Sequence, residues 1–159
     1  MAMKLRMTLI SGLAVACLAA CGGKAKGPEA GGGAAAPDPA ASLYDRLGKK
    51  DAIAAVVKDL VEERVAKDNR INSFFLNTDI PAFEAKLVDQ ICQASGGPCT
   101  YTGKDMKTAH VGMKIKDVDF TALVEDLKLS LDHFKVDARS QQDLIGALAA
   151  MHDDVVTAK

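Results

Sequence analysis

From Ser42 to the C-terminus, apolar side chains recur every three or four residues, and over no length do they alternate one by one. That spacing gathers them on one face of an α-helix and would scatter them over both faces of a strand. Four stripes are legible. Ile53, Val56, Val57, Leu60 and Val61 make the first. Ile80, Phe83, Leu87 and Ile91 make the second, opened by the helix-start signal of Thr78, Asp79 and Pro81. Phe120, Leu123, Val124, Leu127, Leu131 and Phe134 form the third. Leu144, Leu148, Met151 and Val155 form the fourth, entered through Ser140 to Asp143, which has the pattern of a capping box. The predicted fold class is all-α, in one domain over residues 42–159.

The residues before that domain read differently. Residues 1–20 carry Lys4 and Arg6, then an apolar run, then small residues before Cys21, the pattern of a secretory signal. Leu18-Ala-Ala-Cys21 resembles the bacterial lipobox, which implies lipidation of Cys21 and removal of the signal. Gly22 in place of an aspartate favours the outer membrane of a Gram-negative cell, with the protein lipid-anchored on the periplasmic side. Residues 21–41 are glycine, alanine and proline with few large apolar groups, a flexible tether. Of 20 basic residues Lys4 and Arg6 leave with the signal, so 18 face 21 acidic ones. That balance offers no polybasic footprint and argues against a nucleic-acid partner; the membrane is met only through the lipid. Cys17 also leaves, so Cys92 and Cys99 are the available thiols. In an oxidising compartment the pair suggests a disulfide; two unpaired buried thiols are the alternative.

The connection from Ser95 to Ala109 is long for a small helical bundle, and loops of that kind are often functional. It delivers His110, with Met106 one turn before it and Met113 and Ile115 after it. Neither His133 nor His152 has such a setting; both sit among charged neighbours and read as solvated or capping residues. A lone neutral imidazole in an apolar wall suits one axial bond to haem iron, and it is too few ligands for zinc. No Cys-x-x-Cys-His motif is present, so such a haem would be the non-covalent haem b.

Three blocks of the sequence carry a family resemblance. Residues 42–53, "SLYDRLGKKDAI", contain Tyr44, Leu47 and Gly48; residues 70–75, "RINSFF", end in Phe74 and Phe75; residues 96–115, "GGPCTYTGKDMKTAHVGMKI", hold a glycine pair, Tyr-Thr-Gly, a methionine and His110. Together they resemble the group 1 truncated haemoglobins, the short bacterial two-over-two globins. The resemblance implies a two-over-two helical sandwich around haem with His110 as the iron ligand. It implies porphyrin contacts from Phe74, Phe75, Phe83, Leu87, Met106, Ile115, Phe120 and Leu148, and propionate partners in Lys86 and Tyr101. Gly96 and Gly97 would supply the backbone freedom needed before the proximal helix.

The departures bear on mechanism. Where the family often has a tyrosine that bonds bound oxygen, this chain reads "KDLVEERV", with Val61 the expected occupant and an apparent extra residue in "VEER". Phe83 and Leu87 take the next iron-facing positions, leaving Gln90 as the polar candidate of the distal pocket. Without a donor a bound gas forgoes about 1.5–3 kcal/mol. Lys49 also stands where a second glycine is common. The resemblance therefore implies reversible binding of O2, NO or CO; the alternatives are a nitric oxide dioxygenase served by an unidentified reductase, or a non-catalytic haem-based sensor or electron-transfer module.

Overall fold

A computed structural model of the chain describes residues 40–158. The signal at 1–20, Cys21 and all of the tether before Ala40 lie outside the described residues.

The described residues form helices and turns, with no strand among them. Ser42 caps α1 (Leu43–Arg46) by accepting the Asp45 N–H. The chain then turns through Gly48 at φ 84° and Lys49 at φ 66° into α2 (Lys49–Lys58). Lys49 thus holds a left-handed conformation that a glycine adopts without strain. The helix continues as a π-helical turn, Asp59–Arg64, and a 3-10 turn, Val65–Lys67. This is where the sequence has its extra residue. A π turn absorbs one insertion without ending the helix, and the bond from Arg64 Nε to the Asp59 carboxylate spans the five residues of that wider period.

A second 3-10 turn, Asn72–Phe75, leads to α3 (Ile80–Ala94), where Asp79 accepts the Ala82 N–H and Pro81 sits in the first turn. The long connection follows, pinned by a disulfide between Cys92 and Cys99. Gly96 turns at φ 87°, whereas Gly97 is needed for space: a Cβ there would lie 2.5 Å from the Tyr44 ring. After α4 (Met106–His110) come α5 (Asp117–His133), α6 (Ala138–Ala149) and α7 (His152–Val155).

Three expectations about the helices change. The fourth stripe is broken between α6 and α7, so Met151 lies in the turn and Val155 on a separate helix. Ser140 is not a cap: Asp137 caps α6, accepting the Ser140 N–H at 3.0 Å, and Ser140 is a buried first-turn residue whose Oγ accepts from Arg46. Phe134 falls beyond the end of α5, 43 % exposed, because the chain reverses through Lys135 at positive φ. His133 is also more than solvated, since its Nδ1 meets the buried Asp59 carboxylate at 3.0 Å.

α3 packs on α2, α5 packs on the π turn and α6, and α4 packs on α7. These pairs give the two-over-two arrangement. Ile53, Val57, Val88, Leu127, Leu131 and Leu144 anchor the main apolar core, and a smaller cluster gathers round Ile115, Phe120 and Val155.

Candidate functional site

Between the two clusters lies a cavity of about 580 Å³, bounded by Leu60 and Val61 of the π turn on one side and by α4, α6 and α7 on the other. Such a volume takes an organic ligand, within about 300–1,000 Å³. Phe74, Phe75, Phe83 and Leu87 line it on the α3 side, and Met106, Ile115, Phe120 and Leu148 line it across from them. Helical period explains the convergence: Phe83, Leu87 and Gln90 share one face of α3, and Met106 and His110 share one face of α4.

His110 closes α4, a five-residue helix capped by Asp105, whose carboxylate accepts the Thr108 N–H. Its ring lines the cavity, and Nδ1 lies 2.7 Å from the Met106 carbonyl oxygen. A carbonyl only accepts, so Nδ1 carries the hydrogen and the neutral ring leaves its lone pair on Nε2. No other protein group bonds the ring among the described residues. That is the preparation a single axial ligand requires.

Two of the expected residues line the cavity with their polar groups bonded to other parts of the chain. The Gln90 amide donates to Met106 Sδ at 3.3 Å and lies 3.6 Å from Met151 Sδ, so it faces the α4–α7 side and is not a donor for a distal ligand. Gln90 lies one turn beyond Leu87, where α3 comes within hydrogen-bond reach of Met106 at the start of α4. The Tyr101 hydroxyl donates to the Lys104 carbonyl at 2.8 Å and has no hydrogen left for a propionate. Burial pushes its pKa up, and the Asp105 charge adds to the rise. Gly103 makes this fold-back possible, since a Cβ there would overlap the Tyr101 ring. Lys86 is exposed at the cavity edge, with no ion-pair partner among the described residues. Lys104, also exposed and lining the cavity, was missed; its signal was its place directly after the Tyr-Thr-Gly turn.

Elsewhere His152 is engaged on both ring nitrogens, at 3.0 Å from Asp117 and 2.9 Å from Asp153, with its ring edge-on to Phe120 at 4.9 Å. It is neither free nor a helix cap. It supports the wall from behind.

An apolar slot, one imidazole with an unshared Nε2, and lysines at the edge form a site that fits haem: apolar walls for the macrocycle, one nitrogen for iron, cations for carboxylates. The comparisons agree with the geometry. Residues 42–157 match the family described as "Bacterial-like globin".

The chain belongs to that family.

A relative named "Group 1 truncated hemoglobin" from Mycolicibacterium paratuberculosis is 32% identical over 117 residues, 74% of this chain and 85% of that protein. Another of that name, from Tetrahymena pyriformis, is 35% identical over 95 residues, 60% of this chain and 78% of that protein. Among solved structures, the Fe(III) form of the Tetrahymena pyriformis protein is similar with a TM-score of 0.70 at 28% identity, covering 73% of this chain and 98% of that one. The 2/2 hemoglobin of Synechococcus sp. PCC 7002 is similar with a TM-score of 0.67 at 30% identity, covering the same shares. This globin is therefore a haem-binding protein, and its ligand is a diatomic gas.

Proposed function

We propose that His110 is the axial ligand and that this globin binds O2, NO or CO reversibly without efficient turnover. The observation that carries it is the bond from His110 Nδ1–H to the Met106 carbonyl, which leaves Nε2 directed at no protein group in an apolar cavity. When bound, haem supplies an iron centre that accepts a diatomic ligand.

The chain's own residues set the terms. The Met106 carbonyl orients the imidazole through the shared hydrogen. Leu60, Val61, Phe83 and Leu87 present hydrocarbon to the ligand's side, excluding water and offering no hydrogen bond. Lys86 and Lys104, both exposed and lining the cavity, would pair with propionate charge at its edge. Leu60, Val61, Phe83 and Leu87 carry no group that could give or take a proton on the ligand's side, which supports binding over nitric oxide dioxygenation.

The protein reconstituted with hemin is expected to show a Soret band and a CO-shifted ferrous spectrum, and His110→Ala is expected to abolish both. A colourless protein, or a spectrum indifferent to the substitution, would overturn the assignment. Sustained nitrate formation from NO and O2 with an electron donor would replace binding by catalysis, and would require a reductase.

The lipobox-like Leu18 to Cys21 supports a lipid anchor on the periplasmic side of the outer membrane. Among the described residues no helix is long and apolar enough to cross a membrane. Incorporation of labelled palmitate that is lost in Cys21→Ala tests the anchor.

A further inference from the structure

The last turns of α3 hold the segment that delivers His110 at three points. Gln90 Nε2 donates to Met106 Sδ at 3.3 Å. Cys92 is bonded to Cys99. Gln93 Oε1 accepts the Tyr101 N–H at 2.7 Å. Three ties from four consecutive residues of one helix land on Cys99, Tyr101 and Met106, spaced along the loop from its start to the first residue of α4.

α4 needs that support. It is five residues long, and isolated helices below roughly 12–15 residues are marginal in water. Its own cap at Asp105 fixes its start but not its place against α3. Met106 links the two requirements. Its sulfur accepts from Gln90, and its carbonyl accepts the His110 Nδ1–H that aims the ring.

We infer that Gln90 and Gln93 are positioning residues for His110: they set the loop and α4 against α3 so that Nε2 addresses the cavity before the cofactor arrives. The inference rests on the reading of His110 as the iron ligand. The two glutamines act in opposite senses. Gln90 acts as a donor to a thioether, and Gln93 as an acceptor from a backbone amide. A carboxylate accepts but does not donate. Glutamate therefore replaces Gln93 without loss and fails at Gln90, while leucine fails at both. A general disturbance of the helix would not produce that pattern of signs.

Two measurements on the full chain test it, with far-UV circular dichroism confirming that each variant is folded. In the haem-free protein, amide hydrogen exchange at Tyr101 is expected to speed up in Gln93→Leu and to stay unchanged in Gln93→Glu. Exchange in α4 is expected to speed up in both Gln90→Leu and Gln90→Glu. With hemin bound, transfer to apomyoglobin is expected to quicken about tenfold in Q90L, Q90E and Q93L, the lower end of what second-shell partners of a metal ligand contribute, and not in Q93E. The iron–histidine stretching band of the ferrous form is expected to shift or broaden in the same three variants. Wild-type exchange and transfer in all four, or a Q93E that behaves as Q93L, would overturn the inference. An unsubstituted ferrous protein that lacks the band overturns the His110 assignment instead, and the exchange pattern then still decides whether the two glutamines hold the segment.

Discussion

On the proposed reading, how long a gas stays bound depends on a few hydrocarbon side chains, Leu87 foremost. It lines the cavity with Phe83, also on α3, and with Val61 of the π turn, all three hydrocarbon side chains that donate no hydrogen bond. Leu87→Gln places an amide there. A hydrogen bond to a charge-bearing acceptor is worth about 1.5–3 kcal/mol, so dioxygen dissociation measured by flow mixing is expected to slow by about ten- to a hundredfold. An unchanged rate would mean that position 87 does not face the ligand. His152 makes a prediction of a different kind. Its hydrogen bond to Asp153, and then the bond and charge of Asp117, raise its pKa above 6.5 in the folded chain. The stability it contributes is complete below that value and is lost as pH rises through the folded pKa. The thermal midpoint is expected to fall across that window, and His152→Gln is expected to flatten the fall. At this scale the sequence was informative where helical spacing alone decides: Met106 and His110 four apart on one face, Phe83 and Leu87 likewise. It was silent where a side chain's target lies on another element. Gln90 had the right spacing for the distal wall, but its amide is bonded to methionine sulfurs brought in by α4 and by the turn before α7.

Among the elements, the π turn at Asp59–Arg64 widens the helical period where α2 continues. The sequence hinted at it as a surplus residue in "VEER" but could not say whether the surplus would become a loop, a kink or a wider turn. The structure keeps the helix, with Leu60 and Val61 buried against the cavity and Glu62 and Glu63 outside. Removing Glu63 shortens the Asp59-to-Arg64 interval from five residues to four, the α-helical period. Such a variant is expected to remain folded by circular dichroism while its CO rebinding kinetics change, because Leu60 and Val61 turn relative to the ligand. Loss of the fold would show that the wider turn is structural and not an accommodated insertion. The disulfide is the opposite case, an element legible from the export signal and the thiol count. Closing a loop of this length stabilises by about 2.5 kcal/mol in the chain-entropy treatment. Cys92→Ala with Cys99→Ala is expected to lose about that much in denaturant titration. The α6 cap failed for a local reason: Asp137 and Ser140 are both good caps three residues apart, and the ion pair of Arg46 with Asp143 and its bond to Ser140 draw Ser140 inside the first turn.

Taken whole, the molecule has an apolar core in two parts with the cavity between them. The larger part ties α2, the π turn, α3, α5 and α6 together. The smaller, round Ile115, Phe120 and Val155, carries α4 and α7 and meets the larger mainly through half-buried residues such as Phe74 and Leu148, which also line the cavity. Side chains of both parts face that space, so an apolar ligand within it gains dispersion contact with each. A ligand that fills it belongs to the native state alone, so it stabilises by mass action, about 4 kcal/mol at a thousandfold excess over its dissociation constant. The thermal midpoint is expected to rise by about 10 °C or more on adding hemin. The gain should not be spread evenly. Hydrogen exchange is expected to slow most in α4 and α7 and least in α2 and α5, which the larger cluster already holds. Equal slowing everywhere would show one cooperative core; slowing confined to α3 would show that the cofactor is held without the proximal segment, and His110 would then have no part in holding it.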